Sequence, residues 1–294
     1  MREKVKRTTG ERIVFTIVFI LLAIYSIFIL YHFYFLLQLA TKGSAVEYDQ
    51  CVSDDTLGTW SRNFTLRNFI DAFSAFTDDF GNTFLAMTFN SLWYAIGSML
   101  ISLFFESAVT YVVCKYRFRG SMLIYNLVIV RLLVPIVGTL PSAYRIYNSL
   151  GLLNSPTILV TAMDALTGAN FLVMYAFYKG ISWEYAEAAF IDGANHFDVY
   201  FRIMLKMALP AISVLFITGF IGRWNDYLSV SIFLPELPTL SFGLYMYEQN
   251  MKYAGGNMPA YFAGVFIAAI PCVVLFIIFQ NSIMQTIHIG GIKG

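Results

Sequence analysis

The chain has 294 residues, 58% of them hydrophobic and 13% charged, and its 19 basic and 18 acidic side chains leave a net charge of +1. Soluble domains carry about a quarter charged residues, so this composition excludes an ordinary soluble domain, and the missing basic excess argues against a nucleic-acid partner. With a mean hydropathy of +0.66 and 28 Phe, 19 Tyr and 4 Trp, an all-α membrane protein embedded in a lipid bilayer is expected.

In chain order, a basic tail over residues 1–12 (Arg2, Lys4, Lys6, Arg7, Arg12) precedes an uncharged run, Ile13–Leu37. At about 1.5 Å per residue that run exceeds a hydrocarbon core of roughly 30 Å. It is longer than a signal-peptide apolar region of about 7–15 residues and ends without a small-residue cleavage site, so it reads as a retained span. Five further apolar runs follow, at about Phe84–Cys114, Ser121–Pro141, Thr157–Tyr178, Met207–Phe233 and Ala260–Met284. The expected organisation is six transmembrane helices over 13–284, an external loop at 39–83, a loop at 182–206 between helices four and five, and a tail at 285–294.

Lys and Arg number 12 on the face carrying both termini and five on the other (Lys42, Arg62, Arg67, Arg145, Lys252). The positive-inside rule makes both termini cytoplasmic, and with them the 182–206 loop. The external loop fits, since it holds seven acidic residues (Glu47, Asp49, Asp54, Asp55, Asp71, Asp78, Asp79) to three basic. Cys51, Cys114 and Cys272 show no metal spacing and read as small buried hydrophobes, while His32, His196 and His288 are too scattered for a ligand cluster. No GxxxxGK[ST], HExxH or GxSxG pattern occurs, so the chain is expected to be no enzyme and to bind no cofactor.

Five ionisable residues fall inside the expected spans: Glu106, Arg131, Asp164, Arg223 and Asp226. Glu106 lies 12 residues before Phe118 and Arg131 13 after it, which gives them similar depth in antiparallel helices. A structural ion pair is expected there, with a gating role as the alternative. Trp224, Asn225, Asp226 and Tyr227 offer an aromatic platform beside hydrogen-bonding groups, suited to a sugar; alternatively, Arg223 and Asp226 satisfy each other at i, i+3. Asp164 either lines a pathway or serves a helix contact. Pro271 is expected to kink the sixth helix.

The stretch Ser182–Pro210 is the most informative. Ser182 can cap a helix whose first turn carries Glu184; Ala188, Ala189 and Gly193 permit close approach of another surface, and Gly193 supplies a bend. Phe197, Phe201, Met204 and Leu205 then recur at helical spacing. A short bent helical hairpin with a small-residue notch is expected, its plainer reading being a helix resting on headgroups.

Glu187-Ala188-Ala189, Ile191-Asp192-Gly193-Ala194, Ile203 and Leu205 resemble the EAA loop of bacterial ABC-importer permeases. YVVCKYRFRG (Tyr111–Gly120), Leu150–Asn154, Trp224–Tyr227 and Gly290–Gly294 resemble segments of the maltose-type carbohydrate permeases, and Leu237–Leu240 resembles the subgroup importing oligosaccharides or larger glycans. Two positions depart from the family pattern, Lys206 and Ser182 standing where proline is usual.

The resemblance implies a type I ABC-importer permease fold in a bacterial cytoplasmic membrane. It implies a second permease subunit, two ATPase subunits that hold ATP and Mg, an external solute-binding protein and a carbohydrate substrate. Glu187, Ala188, Ala189, Asp192, Gly193, Ile203 and Leu205 would form the coupling surface that fits an ATPase cleft. Gly193→Trp would then abolish uptake and ATPase association while leaving insertion intact. The competing readings are a secondary transporter or channel that works without ATP, and a membrane-embedded enzyme, against which stands the lack of any catalytic constellation.

Overall fold

A computed structural model describes residues 8–289 except 62, 78–80, 117, 135–137, 165 and 167, and the side chains of 254 and 281–289 are likewise left undescribed. Arg2, Lys4, Lys6, Arg7, Arg62, Asp78, Asp79, Arg117 and Gly290–Gly294 therefore lie outside the described residues. Among the described residues the backbone is nearly all helical, its one β feature being an isolated antiparallel bridge between Thr77 and Thr83.

The chain divides into two compact units. The first comprises Met1–Ala75 with Tyr247–Ile267. It contains α1 (Thr9–Ala40), α2 (Ala45–Ser53) and α3 (Arg67–Ala75). Helix α1 starts ahead of the uncharged run because Thr8 and Glu11 form a capping box, in which Glu11 Oε2 accepts the Thr8 N–H at 2.8 Å and Thr8 Oγ1 accepts the Glu11 N–H. Asn68 of α3 donates to the carbonyls of Ala40 (2.9 Å) and Lys42 (2.7 Å), which ties α3 to the end of α1.

The second unit comprises Phe76–Met246 with Ala268–Gly294. Its elements are α4 (Phe84–Lys115), α5 (Ser121–Leu133), α6 (Leu140–Ser149), a 3-10 helix (Pro156–Met163), α7 (Ala169–Gly180), α8 (Glu184–Ile191), α9 (His196–Asp198), a π-helical segment (Val199–Met204), α10 (Leu205–Trp224) and α11 (Tyr227–Phe233). Helices α12 (Leu240–Ala254) and α13 (Met258–Ile289) run through both units. Helix α4 is the centre of the second unit and packs against α5, the 3-10 helix, α7 and α10. The 3-10 helix comes close at Gly97, where an added Cβ would sit 2.9 Å from Leu159.

Six spans were expected; among the described residues four helices are long and apolar enough to cross a membrane: Thr9–Ala40, Phe84–Lys115, His196–Trp224 and Met258–Gln280. The third expected span is interrupted because Val134 precedes Pro135, which disfavours the α region, and α5 ends there with Val134 extended (φ −90°, ψ 112°). The fourth is divided: a 3-10 helix runs to Met163, Asp164 is extended, and α7 begins after Gly168. The fifth stops at Trp224, because the Asp226 side chain accepts the Ser229 N–H at 2.9 Å and starts α11. The sixth continues through Pro271 as one helix to Ile289, past the expected boundary at 284.

Candidate functional site

The 182–206 loop folds as a helical hairpin. Ser182 was expected to cap this helix, but the N-cap position falls to Trp183, which makes no side-chain cap bond; Ser182 Oγ accepts the Glu184 N–H at 3.3 Å from one residue earlier, and α8 carries Glu184 and Glu187 in its first turn, where the helix dipole favours them. The helix ends in a Schellman motif: Gly193 donates to Phe190 O at 3.1 Å, Ala194 to Ala189 O at 2.9 Å, and Gly193 sits at φ +85°. Two residues later Asn195 accepts the Asp198 N–H at 2.9 Å and opens the next helix.

This geometry exposes Glu187, Ala188, Asp192 and Gly193 and leaves Ile191 86% exposed, while Ala189 is buried and Ile203 and Leu205 are half-buried. An apex of small residues, one exposed isoleucine and two carboxylates thus projects from the hairpin. The expected Phe197–Phe201–Met204–Leu205 face needs correction. Phe197 is 76% exposed and Phe201 is exposed, whereas Val199, Tyr200, Met204 and Ala208 are buried. The π-helical segment supplies the reason, since its wide turn rotates the buried face by about one residue. Phe197 and Phe201 instead line an apolar groove of about 420 Å³ beside α4.

The base of the hairpin is fastened to the end of α4. Lys115 donates to Ile181 O at 2.5 Å, on the chain entering α8, and the Tyr116 hydroxyl lies 2.8 Å from His196 Nδ1, on the chain leaving it. The Tyr116 ring meets Trp183 edge-on at 5.7 Å and His196 at 5.6 Å, and Phe190 lies 4.9 Å from His196. One short segment of α4 and its C-cap therefore grips both arms of the hairpin.

At the other end of α4, Tyr94 lies between two of the ionisable residues singled out in the sequence. Its hydroxyl donates to Asp226 Oδ2 at 3.3 Å and accepts from Arg223 Nη1 at 3.4 Å. Arg223 and Asp226 are thus joined through Tyr94 rather than directly. Tyr94, Ser98, Tyr147, Thr161, Arg223 and Ser229 contribute to the wall of a cavity of about 180 Å³. Trp224 is not part of an open platform: it is 3% exposed, its indole donates to Ala268 O at 3.0 Å, and it stacks on Phe220 at 5.5 Å. Asn225 caps α10 with its amide on Ile221 O at 2.8 Å, and the exposed Tyr227 stacks on Tyr245 at 4.7 Å.

The expected Glu106–Arg131 pair is replaced by two separate interactions. Glu106 is 2% exposed and lies beside Asn170 and Phe171 in the first turn of α7, where Gly168 provides no side-chain cap, and its Oε2 is buried without a hydrogen-bond partner. Arg131 Nη2 lies 3.5 Å from Asp164 Oδ2, with both side chains about half exposed. The reason is local: the break before α7 puts a helix N-terminus beside Glu106, and the positive end of the helix dipole favours a carboxylate there.

Residues 107–287 match the family of binding-protein-dependent transport system inner membrane components. The chain belongs to this family. It is 30% identical over 208 residues, 70% of this chain and 73% of the relative, to the arabinooligosaccharides transport system permease protein AraQ of Halalkalibacterium halodurans. It is 28% identical over 282 residues, 94% of this chain and 95% of the relative, to the maltodextrin transport system permease protein MdxG of Bacillus subtilis. A chain of a bacterial ABC transporter involved in the import of the acidic polysaccharide alginate shares the fold, with a TM-score of 0.73 at 19% identity over 94% of this chain and 98% of that one.

As a member of this family the chain is an inner-membrane transport component, and the match takes in the hairpin, Arg131, Asp164 and Trp224–Tyr227. Two features escaped the sequence reading. Tyr94 sits 132 residues from Asp226, and nothing local marks it. Lys115 and Tyr116 lie within the quoted YVVCKYRFRG segment, but only the fold brings them to both arms of the hairpin.

Proposed function

We propose that this chain is a permease subunit of an ATP-driven importer for an oligosaccharide. It would work with a second permease, two ATPase subunits holding ATP and Mg, and an external solute-binding protein. The observation that carries the reading is the hairpin: its exposed apex of Glu187, Ala188, Ile191, Asp192 and Gly193 is held rigidly at the base and lies within the family-matched region. The relatives' names supply the carbohydrate assignment, arabinooligosaccharides and maltodextrin among them.

In this reading the apex sits in a cleft of an ATPase subunit on the cytoplasmic side, with both termini on that side. Closure of the ATPases moves the hairpin, and Lys115 and Tyr116 transmit that movement to α4. Because α4 also carries Tyr94, it couples the hairpin to the cavity lined by Arg223. A shift in the balance between two states requires partners that bind them unequally, which is the role assigned to ATP and to the loaded binding protein. Asp226, Arg223 and Tyr94 are the pathway residues, with Asn225, Tyr227 and the Arg131–Asp164 pair beside them.

Six crossings remain compatible with the broken elements. The eight-residue 3-10 helix and the 12-residue α7 together reach about 34 Å at roughly 2.0 and 1.5 Å per residue, enough for a core of roughly 30 Å. Irregular backbone at membrane depth is tolerated where it is buried in protein or lines a water-filled path. Affinity purification of the tagged chain from its native membrane tests the assignment. Recovery of an ATPase and a second permease is expected, and sugar transport by the chain alone in liposomes would overturn it.

A further inference from the structure

We propose that residues 44–61, together with Asn63, form a second saccharide site within the first unit that takes the end of an uncharged oligosaccharide; this rests on the carbohydrate-import reading above. Within the first unit, α2 and the segment after it enclose a pocket of about 650 Å³. Small-molecule sites commonly measure about 300–1,000 Å³. Glu47, Gln50, Asp54, Thr59, Trp60 and Asn63 contribute to its wall.

The wall is built on a fixed frame. Glu47 Oε1 accepts the Ser61 hydroxyl at 2.6 Å and Glu47 Oε2 accepts the Gly43 N–H at 3.1 Å. The chain passes tightly at Gly43, where an added Cβ would lie 2.6 Å from Asn63 O. Lys42 is fully buried, and its ammonium donates to Thr59 O at 3.2 Å and to Cys51 Sγ at 3.4 Å. Trp60 is nevertheless 50% exposed, with its ring held by Tyr34 edge-on at 5.6 Å and by Phe64 at 6.4 Å.

The chemistry of the wall selects the ligand class. The Lys42 ammonium is turned into the protein, so the described lining presents no cation to a phosphate or carboxylate. Glu47 is engaged by Ser61 and Gly43, and among the described residues no cluster of carboxylates converges on a metal. The polar lining does not suit an acyl chain. A half-exposed indole beside hydroxyl, amide and carboxylate groups matches a sugar ring, whose C–H face stacks while its hydroxyls hydrogen-bond. Asp54 disfavours a uronate in the same place through like-charge repulsion.

The test uses the whole importer, purified in nanodiscs without the solute-binding protein and labelled with 5-fluorotryptophan. The Trp60 resonance is assigned by its loss in Trp60→Phe. A saturable shift on adding arabinotriose or maltotriose, with none from trigalacturonate, is expected; no shift from either neutral probe, or an equal shift from the uronate, overturns the proposal. In proteoliposomes carrying the complete importer, Trp60→Ala and Asp54→Asn are each expected to raise the half-saturating sugar concentration about fivefold, and wild-type values in both also overturn it. ATPase recovery is scored on the same preparation. Its presence with a silent Trp60 sinks this site alone, whereas its absence sinks the import reading.

Discussion

Tyr116 is the residue whose loss should separate ATP hydrolysis from transport. Tyr116→Phe removes the hydroxyl contact to His196, 2.8 Å long, and keeps the ring. A hydrogen bond of this kind contributes about 0.5–1.5 kcal/mol, and at this half-buried position the lower half of that range applies. Tyr116→Ala also removes ring contacts to Tyr111, Trp183 and His196 at 5.7, 5.7 and 5.6 Å. At about 0.5 kcal/mol each for partly exposed aromatic pairs, the total loss is about 2 kcal/mol. That corresponds to roughly a thirtyfold change in the fraction of hairpins held in place, against about twofold to fivefold for Phe. The assay is sugar taken up per ATP hydrolysed in proteoliposomes carrying the complete importer. A drop of a few fold for Phe and more than about tenfold for Ala is expected, with insertion unchanged. An Ala variant that keeps wild-type uptake per ATP would refute the clamp.

Gly193→Ala forces a Cβ into a left-handed position at a cost of about 1 kcal/mol, and Gly193→Val costs more, so ATPase recovery on purification is expected to fall in that order. Glu106→Leu removes the polar group that faces the N-terminus of α7 and is expected to destabilise by about 1 kcal/mol in detergent thermal unfolding, beyond Glu106→Gln. In double-mutant cycles read by the same unfolding assay, Arg131 is expected to couple to Asp164 and to show less than about 0.3 kcal/mol of coupling to Glu106. Tyr94→Phe removes the hydroxyl between Arg223 and Asp226 and is expected to lower transport by about tenfold, equal to about 1.4 kcal/mol, with ATPase recovery intact.

The hairpin was legible because its determinants are local. The paired alanines and Gly193 are spaced within a few residues, and Gly193 takes the left-handed backbone that ends α8; Asn195, which opens the next helix, went unread. The register beyond Asn195 was not legible, since a π-helical turn leaves no mark in a 3.6-residue periodicity and shifts burial from Phe197 to Tyr200. The interruptions of the third and fourth expected spans were written in Val134-Pro135 and in Gly168-Ala169-Asn170, but long apolar composition masked them. Depth matching paired Glu106 with Arg131 because it compared only two helices. What lies beside Glu106 instead is the end of a third helix, a backbone feature with no residue type of its own. For the same reason Trp224 looked like a sugar platform, until its indole proved to be bound to Ala268.

The central claim is that the hairpin apex seats in an ATPase subunit, and site-directed crosslinking tests it most directly. Glu187 is exposed beside Ala188, so Glu187→Cys in native membranes, labelled through its thiol with a short benzophenone maleimide and irradiated so that the ketone inserts into a neighbouring C–H bond, should join this chain to an ATPase subunit. The yield should change when ATP is added. Crosslinks to lipid-facing neighbours alone, with no ATPase adduct in either nucleotide state, would contradict the account.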